Sequence, residues 1–148
     1  MTPREFTAWA SRRGLPNRAI EQLIRLAASP EEMKAAIDAI KPAPPIYTLS
    51  DIVEMTDKDS YGVSPVAHGF VIVGGCPNGD LIAIDVAKEP GSVWYISHEM
   101  MSRGRTRDTA IRVAEDATAM MEGLADGTFP FDYCDAHQHR PHPHHTRR

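Results

Sequence analysis

The side chains best equipped for chemistry are concentrated at the end of the chain, where His137, His139, His142, His144 and His145 follow Cys134 and Asp135. Five of the seven histidines lie in this stretch, and the His-x-His spacing can bring imidazoles to one side of an extended segment. With Asp135, and Cys134 as a soft ligand, they could hold zinc, nickel or copper. A tail must be ordered to do so and brings no outer hydrogen-bonding shell, so such a site would be weak and poorly selective. The competing reading is a disordered polar tail over 131–148 that takes no cofactor. A second constellation is Asp85 with His98, two residues near strand ends that could share acid/base work if the fold joined them, although no nucleophile accompanies them at a recognisable spacing. Gly79-Asp80 reads as a turn whose aspartate caps nearby backbone N–H groups. Gly74-Gly75 lacks the surroundings of a phosphate loop and reads as the end of a strand. Arg103, Arg105 and Arg107 form a small basic cluster, read as a solvated loop leading into a helix.

The elements that would position these groups are well punctuated. Thr2-Pro3-Arg4-Glu5 is a capping box with proline at the first helical position, predicting a helix through Phe6 and Trp9 that stops at Gly14. Ile20, Leu23, Ile24 and Ala27 mark a second helix. Ser29-Pro30-Glu31-Glu32 repeats the capping logic for a third that carries Met33, Ala36, Ile37 and Ile40. The proline run Lys41–Pro45 must be an extended connector. Thr48 or Ser50 can cap a further helix with Leu49, Ile52, Val53 and Met55 on its buried side, ending in a polar stretch from Asp57. From Phe70 to His98 three short apolar segments are separated by Asn78-Gly79 and by Pro90-Gly91, the pattern of a three-stranded antiparallel meander. Asp108 onward, with Ile111, Val113, Ala114, Ala117, Met120, Met121 and Leu124, predicts one long amphipathic helix ending near Gly127.

A chain of 148 residues with 42% hydrophobic residues can bury one sizeable core and not two. The expectation is a single unit with a helical segment over 1–45, an α+β core over 46–130 and the histidine-rich tail. No apolar run approaches the roughly 20 residues that span a bilayer, and the first residues lack the apolar centre of a secretory signal, so no membrane partner and a cytoplasmic location are expected. Cys76 and Cys134 are then expected as reduced thiols. The net charge of −4 argues against nucleic acid as a partner.

The order of parts resembles the SUKH superfamily of Smi/Knr-type domains. The resemblance covers residues 46 to 126. It runs through Tyr47-Thr48-Leu49-Ser50-Asp51-Ile52-Val53-Glu54 to Gly79-Asp80 and the strand Leu81–Val86. It continues through Gly91-Ser92-Val93-Trp94-Tyr95-Ile96-Ser97-His98-Glu99 to a helix with Val113-Ala114-Glu115-Asp116 and Met121-Glu122-Gly123-Leu124. What it implies is an α+β fold with a mixed, largely antiparallel sheet containing the meander and flanked by helices. It also implies a non-enzymatic role in binding a protein partner, as in bacterial immunity proteins that neutralise a cognate toxin and fungal regulators of cell-wall synthesis. Residues expected at such an interface are Asp57, Asp59 and Tyr61 in a polar loop, and Met100, Met101, Arg103 and Arg105, whose side chains adapt readily to partners. The alternative is a small metal-handling or hydrolytic protein that uses the tail, or Asp85 with His98.

Overall fold

The structure, a computed structural model, describes residues 1–32, 46–58, 68–101, 106–130 and 133–138. Helix α1 (Pro3–Arg12) begins with the expected capping box: the Thr2 hydroxyl accepts from the Glu5 amide and the Glu5 carboxylate accepts from the Thr2 amide. Helix α2 (Asn17–Glu32) buries Ile20, Leu23 and Leu26. It differs from expectation at its end, because helical backbone continues through Ser29 and Pro30 to Glu32 without a restart. The packed stripe upstream outweighs the local stop signal, since most helical stability in proteins comes from tertiary burial. The expected third helix and the proline connector lie outside the described residues.

Helix α3 (Leu49–Lys58) is capped by Thr48, whose hydroxyl accepts from the Asp51 amide at 3.1 Å. Strands β1 (Phe70–Gly75), β2 (Leu81–Asp85) and β3 (Val93–Ile96) form the expected meander. Two short helical turns, α4 (His98–Met101) and α5 (Thr106–Thr109), lead to a fourth strand, β4 (Ile111–Ala114). Helix α6 (Ala117–Asp126) follows, and α7 (Tyr133–Gln138) completes the described chain.

Strand β4 corrects the expectation of one long helix from Asp108. Asp116 is the true N-cap, its carboxylate accepting from the Ala119 amide at 2.9 Å, so the helix starts eight residues later and the preceding segment pairs with β3. Helix α7 lies within the segment expected as a tail, and its Ala136 is buried in the main core.

The sheet order is β1-β2-β3-β4 with antiparallel pairing on every ladder, giving the α+β class expected. Side chains alternate across it. Val71, Val73, Ile82, Ile84, Val93 and Tyr95 face α1, α2, α3 and α6 and form the main core with Phe6, Leu23, Leu26 and Ile52. Phe70, Ile72, Leu81, Ala83 and Ile96 form a smaller buried cluster on the opposite face, with Tyr47, Trp94 and Ala110 packed against it.

The seam between α2 and α6 is polar at its rim and specific at its centre. The buried Gln22 side chain accepts from the Ala117 amide at 2.7 Å, while Arg18 reaches Asp116 and Arg25 donates to Thr118. Gln22→Leu keeps the volume and strands that first-turn N–H, so it should lower stability by about 1–3 kcal/mol in urea denaturation.

Candidate functional site

Strand β2 is bracketed by aspartates, Asp80 just before it and Asp85 as its last residue, and each organises a polar cluster. At its start Asp80 is 4% exposed. The type of turn that precedes it requires positive φ at Gly79 (94°), and the Asp80 amide donates to the Asn78 side chain at 2.9 Å. Pairing of Leu81 with Ile96 then brings the start of β2 beside the end of β3. The Asp80 carboxylate receives the Tyr95 hydroxyl, the His98 amide at 3.0 Å, the Asn78 side-chain amide at 3.3 Å and the His98 ring Nδ1 at 2.6 Å. Burial, reinforced by the hydrogen bond to Asp80, pushes the Tyr95 phenol far above its ordinary range, so Tyr95 is held as the protonated donor of this network. His98 differs from the others in being half exposed: its side chain is 46% accessible, and its second ring nitrogen, Nε2, makes no hydrogen bond to a described residue.

At the far end of β2, Asp85 is completely buried on the smaller-cluster face. The amides of Ala87, Lys88 and Glu89 donate to its carboxylate at 2.9–3.1 Å, closing the turn. Arg107 from α5 grips the same carboxylate with both terminal nitrogens, at 3.0 and 3.1 Å, and through Nε and Nη2 also donates to the carbonyls of His68 and Gly69. Its guanidinium lies 4.0 Å from the Phe70 ring centroid and 5.8 Å from that of Trp94. Burial pushes the Asp85 carboxyl up, but Arg107 and the three amides outweigh it and leave the group at about 2. All three guanidinium nitrogens are bonded, so this cluster braces the fold.

The expected meeting of Asp85 with His98 does not occur. They belong to opposite ends of the sheet, and His98 joins Asp80 instead. Arg107, expected in a solvated loop, is the partly buried clamp of Asp85. Asp57 lies in the last turn of α3 and not in a loop; its carboxylate accepts from the Trp9 indole at 3.2 Å and pairs with Arg13 at 2.7 Å, tying α3 to α1. Met100 and Met101 belong to α4. His137 is exposed on α7. Asp59, Tyr61, Arg103, Arg105, His139, His142, His144 and His145 lie outside the described residues, as do the side chains of Met100 and Met101.

Among the described residues no three His, Cys, Asp or Glu side chains converge as a metal ion requires, Cys76 and Cys134 form no disulfide, and no helix is long and apolar enough to cross a membrane. One open groove of about 450 Å³ lies in the helical layer, between the start of α1 (Met1, Pro3), the later turns of α2 (Ile24, Ala27, Ala28) and the start of α3 (Thr48, Leu49, Ser50). Its floor is apolar and its α3 rim carries two hydroxyls. No protein-family profile, no curated protein and no solved structure matches this chain.

Proposed function

We propose that this chain is a protein-binding module, SUKH-like in its order of parts, whose partner is a protein such as a toxin domain. The observation that supports this reading is the groove between α1, α2 and α3. It is open to solvent, floored by Ile24, Ala27 and Leu49, and edged by Met1, which at 53% exposure is the one large hydrophobic side chain left in solvent among the described residues. A partially wetted apolar trough with a hydroxyl rim suits an apolar side chain presented by another protein, flanked by groups that bond Thr48 and Ser50. The sheet beneath is braced at both ends of β2, which keeps the helices that shape the trough in fixed relation.

Ala28 and Ser50 line the groove and are exposed, so arginine at both positions fills it without entering the core. The purified protein and the Ala28→Arg/Ser50→Arg variant are each used to capture partners from the cells that make the protein. A stoichiometric protein retained by the first and lost at least about tenfold with the second, a change of about 1.4 kcal/mol, is the expected result. Equal retention by both overturns the groove as the binding face, and capture of nothing by either removes the binding-module reading.

A further inference from the structure

Asp80, Tyr95 and His98 make an arrangement that the binding role does not use. Asp80 is buried and anchored by three donors besides the imidazole: the Tyr95 hydroxyl, the Asn78 amide and the His98 backbone N–H. The carboxylate accepts, so the His98 proton sits on Nδ1 at 2.6 Å from it, and the lone pair belongs to Nε2. The same Asp80 oxygen that holds Nδ1 also holds the His98 amide, so one acceptor ties the ring to its own backbone, and the ring lies beside the glycine of the hairpin turn. The result is a half-exposed imidazole with a carboxylate bonded at Nδ1 and an Nε2 that makes no hydrogen bond to a described residue.

We propose that His98 Nε2 is a nucleophile toward activated acyl donors such as aryl esters, with Asp80 as its positioning residue. The Nε2 lone pair adds to the acyl carbon, the bond from that carbon to the aryl oxygen breaks, and the aryloxide leaves with the electron pair. The ring then carries an acyl group on Nε2 and a positive charge shared with Nδ1–H, which faces the Asp80 carboxylate. Water adds to the acyl carbon, the carbon–Nε2 bond breaks, the carboxylic acid departs with one of the water's protons while the other passes through solvent to the aryloxide, and the imidazole returns with its proton on Nδ1. One ester and one water become one acid and one phenol. The Tyr95 hydroxyl takes no part in the transfer; it keeps Asp80 aimed at the ring.

The inference is independent of the groove and of any partner, and its test uses the full chain alone. With p-nitrophenyl acetate as probe, His98→Gln, a change at a half-exposed position, is expected to remove most of the nitrophenolate release that exceeds the sum expected of ordinary histidines. Mapping by mass spectrometry after brief treatment with diethyl pyrocarbonate is expected to find His98 modified before His68 and His137. Asp80→Asn is expected to move the ring's nitrogen-15 shifts away from the Nδ1–H tautomer and to slow the His98 reaction on the order of tenfold, in protein whose circular dichroism is native. Where Asp80→Asn fails to fold, the His98→Gln comparison decides. Release unchanged in His98→Gln, or modification of His98 no faster than of His68 and His137, overturns the proposal.

Discussion

Arg107→Ala should lower the free energy of unfolding by about 3–5 kcal/mol, because it removes the only side-chain counter-charge among the described residues from a carboxylate that is completely buried. Asp85 would keep three amide donors and lose two charge-assisted bonds, and Phe70 and Trp94 would lose the cation above them. Lysine at 107 should recover little, since an ammonium can neither fork across both oxygens nor reach the His68 and Gly69 carbonyls together. Asp85→Asn combined with Arg107→Ala should be less damaged than Arg107→Ala alone, because the buried charge goes with its partner. The same pair sets an acid limb. A carboxyl held at about 2 when folded against 3.8 in its ordinary state contributes about 2 kcal/mol that is complete above pH 4 and is lost as pH falls through 2. Urea midpoints measured between pH 2 and pH 5 should rise with pH in the wild type and lose that component in Asp85→Asn. A loss below 1 kcal/mol in Arg107→Ala would show that the clamp is dispensable.

Gly69→Ala should be nearly as damaging, about 3 kcal/mol, through the same corner by a different route. Gly69 has φ of 85°, a region that costs an L-residue on the order of 1–2 kcal/mol. A Cβ there would come within 2.5 Å of the Ala87 Cβ and 2.8 Å of the Arg107 Nη2. Neither neighbour can yield freely: the Ala87 amide is bonded to Asp85 and the Arg107 nitrogen to three acceptors. Overpacking of this kind adds about 1–3 kcal/mol. With Arg107 already truncated one collision disappears, so the double variant should be less unstable than the sum of the two singles. Strict additivity would mean that Gly69 and the clamp act separately.

Much of the frame was legible because its signals are local. Thr2 to Glu5, Thr48 and the Asn78-Gly79 turn each lie within four residues of the bond they make, and the meander follows from apolar runs bounded by turn formers. Strand β4 was hidden by an ambiguity of spacing: Ile111, Ala114, Ala117, Met120 and Leu124 satisfy a helical period, and only Asp116, an N-cap inside the run, marks where it must break. The polar clusters were harder. Arg107 and Asp85 are 22 residues apart with no pattern linking them, so a basic cluster that looked solvated conceals a clamp. Asp80 and His98 could have been found, because once the Pro90-Gly91 turn sets Leu81 against Ile96 the residues before β2 and after β3 must be neighbours. Choosing Asp85 for His98 amounted to pairing the wrong end of the strand.

The strict β1-β2-β3-β4 order also bears on how the chain reaches this structure. Every ladder joins strands adjacent in sequence, so the sheet can zip with short loop closures, whereas the α2–α6 seam must bring together residues such as Gln22 and Ala117 that are 95 positions apart. Loop-closure entropy therefore favours early formation of the meander and makes docking of the N-terminal helices the expensive step, expected late. Interactions made late are felt mainly on the way out, so the loss caused by Gln22→Leu belongs in a faster unfolding rate with folding left nearly unchanged. In this molecule the amino-terminal quarter acts as a bolt that is drawn last and lost first.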